Sequence, residues 1–225
     1  RSYQSQKRFI VRQVLLTTPV IDPNMRHEVY RTHFPLNFRS YYRGGRLNAQ
    51  VPLDLPFHDE AGRVVRLGDY FGARPVILTL NYFECPNLCT LVLSGLGDGL
   101  GSIALRMGQE FEVVSVSIDP REQPDLAAAK KATYLEHYGR PGDAAGWHFL
   151  TGEQGPITQL AQAVGFRYAY DAQQNQFAHP AGIMILTPQG KIARYFYGIE
   201  FAPRDLRLGL VEASAGQIGT PIDQV

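Results

Sequence analysis

From Val51 onward the apolar positions fall into short blocks whose spacing switches between the two-residue period of strands and the 3.6-residue period of helices. "LPFHDEAGRVVRLGDYFG" places turn-forming residues 60–62 between two short extended pieces, which predicts a β-hairpin. "RPVILTLNYF" predicts a buried strand. In the following "PNLCTLVLSGLGDGLGSIALRM", Leu88, Leu91, Val92, Leu96, Leu100 and Ile103 fall on one helical face, although the glycines weaken the helix. "FEVVSVSI" predicts a second strand, and "PDLAAAKKATYLEHY" a helix opened by Pro124 and stopped by Gly139. "WHFL" and "GPITQLAQAVGF" repeat the alternation, the helix ending near Gly165. "AGIMIL", the turn "TPQG" and "IARYFYG" then make an antiparallel hairpin, and "PRDLRLGLVEASAG" a last helix.

Strands separated by helices imply crossover connections and a sheet parallel at its centre, to which the final hairpin adds antiparallel strands. The expected class is α/β: a thioredoxin-like fold with a mixed central sheet flanked by helices, an N-terminal hairpin and an extended basic arm. The expected organisation is an arm over residues 1–50, a thioredoxin-like domain over 51–215 and a tail over 216–225. The arm is basic, with eight arginines and Lys7 among its first 46 residues, and Pro19, Pro23 and Pro35 interrupt its apolar clusters. A solvated, loosely packed segment is the plain reading. There is no internal repeat and no low-complexity tract.

Composition narrows the class without naming a function. At 225 residues, 44% hydrophobic and 19% charged, the chain can bury a sizeable core. A formal net charge of +1 gives no electrostatic case for a nucleic-acid partner. No stretch approaches the roughly 18–20 apolar residues that span a bilayer. The chain opens on Arg1 rather than Met, so an N-terminus already removed is expected, and a signal peptide or membrane anchor would fall outside this segment.

Two cysteines are too few for a disulfide scaffold, so their spacing carries the chemistry. "YFECPNLCT" places Cys85 at a strand-to-helix junction, with Pro86 in the first helical turn and Cys89 one turn further on the same face. The positive end of the helix favours thiolate over thiol, as a nucleophile or soft-metal ligand requires. Residues one turn apart remain within reach of a disulfide, and the same bite suits two thiolates on one copper ion. Zinc usually takes a fourth strong protein ligand. The plain alternatives are two core cysteines or a structural disulfide. Among six histidines, His179 directly precedes "AGIMIL", and in a thioredoxin plan the loop before that strand faces the cysteine helix. His58, His137, His148, His27 and His33 read as structural. Asp119, with Pro120, ends the strand "VVSVSI" and is open to two readings, orienting a ligand or capping a turn.

Together "LNYFECPNLCT", "VVSVSIDPRE" and "FAHPAGIMILTPQGKIARYFYG" resemble the SCO/SenC family of cytochrome c oxidase synthesis proteins over about residues 51–215. The shared pattern is CPxxC, a later His, and the Pro and Gly of a hairpin turn, here Pro188 and Gly190. The resemblance implies a membrane-tethered, thioredoxin-like protein outside the cytoplasm, on the periplasmic or equivalent face of an energy-transducing membrane. It implies copper, as Cu(I) or Cu(II), held by Cys85, Cys89 and His179. The implied partner is the copper-bearing subunit of cytochrome c oxidase, or another copper or thiol protein, served by copper delivery or by reduction of its cysteines. The resemblance implies a metallochaperone before an enzyme, and as an enzyme the chain would be a thiol-disulfide oxidoreductase. The family commonly has Asp before the His, where this chain has Ala178, so a carboxylate that would tune the imidazole is missing there.

Three other functions compete. A thiol-disulfide oxidoreductase would use Cys85 and Cys89 as a redox pair without metal. A peroxide-reducing enzyme would need a basic group beside the attacking sulfur, and the segment offers Glu84 instead. A non-catalytic interaction module would tolerate loss of both thiols.

Overall fold

A computed structural model describes residues 46–85, 88–173 and 175–220. Residues 1–45 of the expected arm, with His27 and His33, lie outside the described residues, as do Pro86 and the last five residues of the tail. The chain divides into two units, Arg1–Ser40 and Tyr41–Val225, and every described residue belongs to the second.

The first hairpin, β1 (Pro56–His58) and β2 (Val64–Arg66), turns at Asp59, whose carboxylate accepts the backbone N–H groups of Ala61 and Arg63. The central sheet begins with β3 (Val76–Asn81), all six residues of which are buried, as the uninterrupted apolar run predicts. It continues through α1 (Leu88–Gly101), β4 (Glu112–Ser117), α2 (Pro124–Tyr138), β5 (Trp147–Leu150) and α3 (Gln154–Ala163). Pro124 opens α2, and Gly139 closes it in the left-handed conformation at φ 75°, its N–H donating to Leu135 O. A small hairpin, β6 (Ala169–Asp171) and β7 (Gln176–Ala178), precedes β8 (Gly182–Leu186), β9 (Ile192–Tyr197) and α4 (Pro203–Ser214).

The five-stranded sheet runs β5-β4-β3-β8-β9, parallel across β5, β4 and β3 and antiparallel across β3, β8 and β9. Side-chain alternation along these strands divides the interior in two. On one face Ile77, Val113, Phe149, Ile183 and Ile185 meet α1, α2 and α4. On the other, Leu78, Leu80, Val114, Val116 and Met184 meet Ile157, Leu160 and Ala161 of α3, together with Val51, Leu55 and Phe57. Before Val51, the chain already runs beside β9: Asn48 N–H donates to Ile192 O, and Ile192 N–H to Ala49 O. Among the described residues no helix is long and apolar enough to cross a membrane.

The register places the site. β3 pairs with β4 as far as Asn81↔Ser117, whereas its pairing with β8 ends at Leu78↔Met184. The carboxyl end of β3 and the start of β8 therefore splay where the chain reverses direction within the sheet, a position at which open α/β sheets leave a crevice.

Candidate metal centre

The turn after β3 delivers Cys85 and the first turn of α1 delivers Cys89. Both are free thiols, 6% and 2% exposed. His179 follows β7 and enters at the splayed end of β8. Its Nε2 lies 2.9 Å from Cys89 Sγ, and the Cys85, Cys89 and His179 donor atoms all fall within 4.8 Å of one another. This is the one such group of three or more His, Cys, Asp or Glu among the described residues. The expectation that the loop before β8 faces the cysteine helix agrees with this geometry.

The imidazole is oriented without a neighbouring carboxylate. His179 Nδ1 is 2.9 Å from Pro180 O, which can only accept, so an Nδ1–H donates there and Nε2 is the ring atom left facing sulfur. Tyr82 meets the ring edge-on at 5.9 Å, and Phe166 lies 5.9 Å away at 30°. A backbone carbonyl and two aromatic rings thus hold the imidazole that follows Ala178.

The two thiols ionise in opposite directions. A hydrogen bond from the Cys89 thiol holds Cys85 far below the ordinary thiol range; burial opposes that shift and His179 assists it. Burial pushes Cys89 well up, and its role as donor to Cys85 adds to the effect. A thiolate beside a neutral thiol is stable in a buried place because one charge is solvated by the other group's proton.

The turn that carries Cys85 rests on Glu122. Its carboxylate accepts Phe83 N–H at 2.8 Å, Glu84 N–H at 2.7 Å and the Ser117 hydroxyl at 2.5 Å. Burial raises Glu122 above the usual carboxylate range although these bonds pull the other way. Glu122 ends the "VVSVSIDPRE" segment, yet the sequence assigns it no role, because a Glu after "DPR" looks like any polar loop residue until the fold buries it. Asp119, by contrast, lies outside the three-residue group. It accepts Arg121 N–H at 2.9 Å and grips the Arg121 guanidinium. Glu84 is exposed. Of the other described histidines, His58 lies in β1, while His137 pairs with Asp98 and His148 with Glu112, away from the group. A cleft of about 790 Å³ lined by Tyr82, Glu84, Asp119, Arg121, Glu122 and Asp125 opens beside it.

Two thiolate-forming sulfurs and one imidazole nitrogen form a soft donor set that fits copper, and Cu(I) in particular. The family model of SCO1/SenC matches residues 46–207. The chain belongs to the SCO1/SenC family. A candidate electron-transfer protein of Aquifex aeolicus superposes with a TM-score of 0.65 at 24% identity, covering 76% of this chain and 95% of that one. The copper-bound structure of Arabidopsis thaliana ScoI gives a TM-score of 0.57 at 18% identity, covering 72% and 96%. At these identities the likeness establishes the fold, which is thioredoxin-like. A candidate copper-binding protein of Stutzerimonas stutzeri is 23% identical over 120 residues, 52% of this SCO1/SenC chain and about half, 54%, of its relative.

Proposed function

We propose that this SCO1/SenC protein binds copper through Cys85, Cys89 and His179 and acts as an assembly factor for the dinuclear copper centre of cytochrome c oxidase. The observation that carries the reading is the convergence of two sulfurs and one imidazole nitrogen within 4.8 Å, although the imidazole lies 90 residues beyond Cys89. Copper is cargo here. Cys85 is already held as thiolate, Cys89 gives up its proton on binding, and His179 presents a lone pair whose direction the Pro180 carbonyl fixes. The cleft lined by Tyr82 and Glu84 borders the turn that carries Cys85, and a partner would approach there. Residues 51–215 form the working domain in this reading, with the arm of residues 1–50 and the tail of residues 216–225 outside it. The site of action is outside the cytoplasm, at the membrane that holds the oxidase.

The opposed ionisation of the thiols supports a second reading, reduction of a partner's disulfide. Cys85 thiolate attacks a partner sulfur and expels the partner's other sulfur as thiolate. Cys89, losing its proton to His179, then attacks Cys85 Sγ. A Cys85–Cys89 disulfide closes, the sulfur bonded to Cys85 leaves as the partner's second thiolate, and two electrons have passed to the partner.

Visible absorption of reduced protein given one equivalent of Cu(II) separates the two. Copper binding predicts a thiolate-to-copper charge-transfer band that vanishes in Cys85→Ser and shifts or fades in His179→Ala. No band, with rapid formation of the internal disulfide, favours the metal-free reading.

A further inference from the structure

The hairpin that immediately precedes His179 stands apart from the main sheet. β6 and β7 pair with each other through Ala169↔Ala178, Tyr170↔Phe177 and Asp171↔Gln176 and form a separate two-stranded sheet. A ribbon of three residues a side has too few backbone bonds to keep its place alone, so side chains must fix it. Phe177 packs inward against Tyr82, with ring centroids 5.4 Å apart. Arg121 covers the cross-strand pair: its guanidinium carbon lies 5.0 Å from the Tyr170 ring centre and 5.8 Å from that of Phe177, within the range of cation–π attraction.

An arginine whose side chain is 58% exposed would ordinarily swing free. Asp119 prevents it, receiving Nε at 2.8 and 3.1 Å on its two oxygens and the terminal nitrogen at 2.6 Å, a forked grip that sets the plane of the guanidinium. Asp119 is itself nearly buried, and its backbone N–H donates to the Ser117 hydroxyl, which in turn donates to Glu122.

We infer that Arg121, held by Asp119, is a positioning residue for His179. One loop, residues 118–123, thereby fixes both halves of the centre. Glu122 grips the turn that precedes Cys85, and Arg121 grips the hairpin that precedes His179. Without the arginine the hairpin spends less time docked, and the apparent affinity of any ligand that needs His179 falls with the docked fraction.

Amide hydrogen exchange and the His179 ring resonances, recorded on the metal-free protein, test this in wild type, Arg121→Ala and Arg121→Lys. Cu(I) affinity by chelator competition is measured alongside; that part rests on the copper reading. In Arg121→Ala, exchange should quicken at residues 169–178 with β3 and β4 unchanged, and the His179 resonances should broaden. The Cu(I) affinity should fall roughly five- to tenfold. Arg121→Lys, which keeps the cation but not the fork, should lie between. Hairpin protection and ring resonances in Arg121→Ala equal to wild type overturn the inference, as does a loss of protection spread evenly over the domain. Should the wild type fail to take up Cu(I), the copper reading falls, while the metal-free exchange still decides the role of Arg121.

Discussion

Cys85 and Cys89 share one buried pocket, yet the hydrogen bond between them divides their protons unequally. An ordinary thiol ionises near about 8.5, and Cys85 is displaced far below that value, so its thiolate persists as the pH falls. Near-ultraviolet thiolate absorbance of the reduced protein should report one thiolate at about pH 5, and Cys85→Ser should remove it. Cys89→Ala takes away the donor and should move the loss of thiolate to higher pH. A wild-type signal that disappears as soon as the pH drops below about 8 would contradict the pairing. At this scale the sequence was legible for the three donors, because CPxxC at a strand-to-helix junction and a His before the next hairpin are local patterns. Glu122 was not legible, since what distinguishes it is burial against Phe83, 39 positions earlier. Asp119 was visible as a candidate, but its partner is Arg121 rather than the metal group.

The glycines of α1 change meaning once the helix is placed. Read along the chain they weaken it; in the fold they let the loop after β9 lie against its backbone. A Cβ on Gly95 would stand 1.9 Å from Ile199 O, and one on Gly99 2.8 Å from Phe201 O. Gly97 faces the His137 side chain at 3.3 Å, which can give way. Ala gains up to about 1 kcal/mol over Gly in helix propensity, so Gly97→Ala should be neutral or stabilising in urea unfolding. Gly95→Ala should lose about 1–3 kcal/mol, because a backbone carbonyl must move. Equal stability of the two variants would show that α1 and the loop are not in close contact. The β6–β7 hairpin is the element the sequence did not announce. "RYAYDAQQNQFA" offers only three-residue strands among polar residues, and the contacts that hold the ribbon, Tyr82 and Arg121, come from elsewhere in the chain.

Across the whole molecule, two apolar cores pack on opposite faces of one sheet, and the site lies at the end where the central strand loses its antiparallel neighbour. Apart from the β6–β7 hairpin, the order of elements was legible because the strand and helix periods alternate from residue 51 to residue 214. The entry of residues 46–50 alongside β9 was not, since those positions carry no periodic signal and are fixed by backbone hydrogen bonds to a strand some 140 residues away. Bringing a thiol from a turn, a thiol from a helix and an imidazole from a hairpin to one point is a property of this topology, and copper binding is the function proposed for it. X-ray absorption at the copper edge, on protein loaded with one equivalent of Cu(I), tests that claim most directly. The account predicts two sulfur ligands and one nitrogen, with the nitrogen absent in His179→Ala. A copper site with no nitrogen ligand in the wild type, or one unchanged when Cys85 or Cys89 is replaced by Ser, would contradict it.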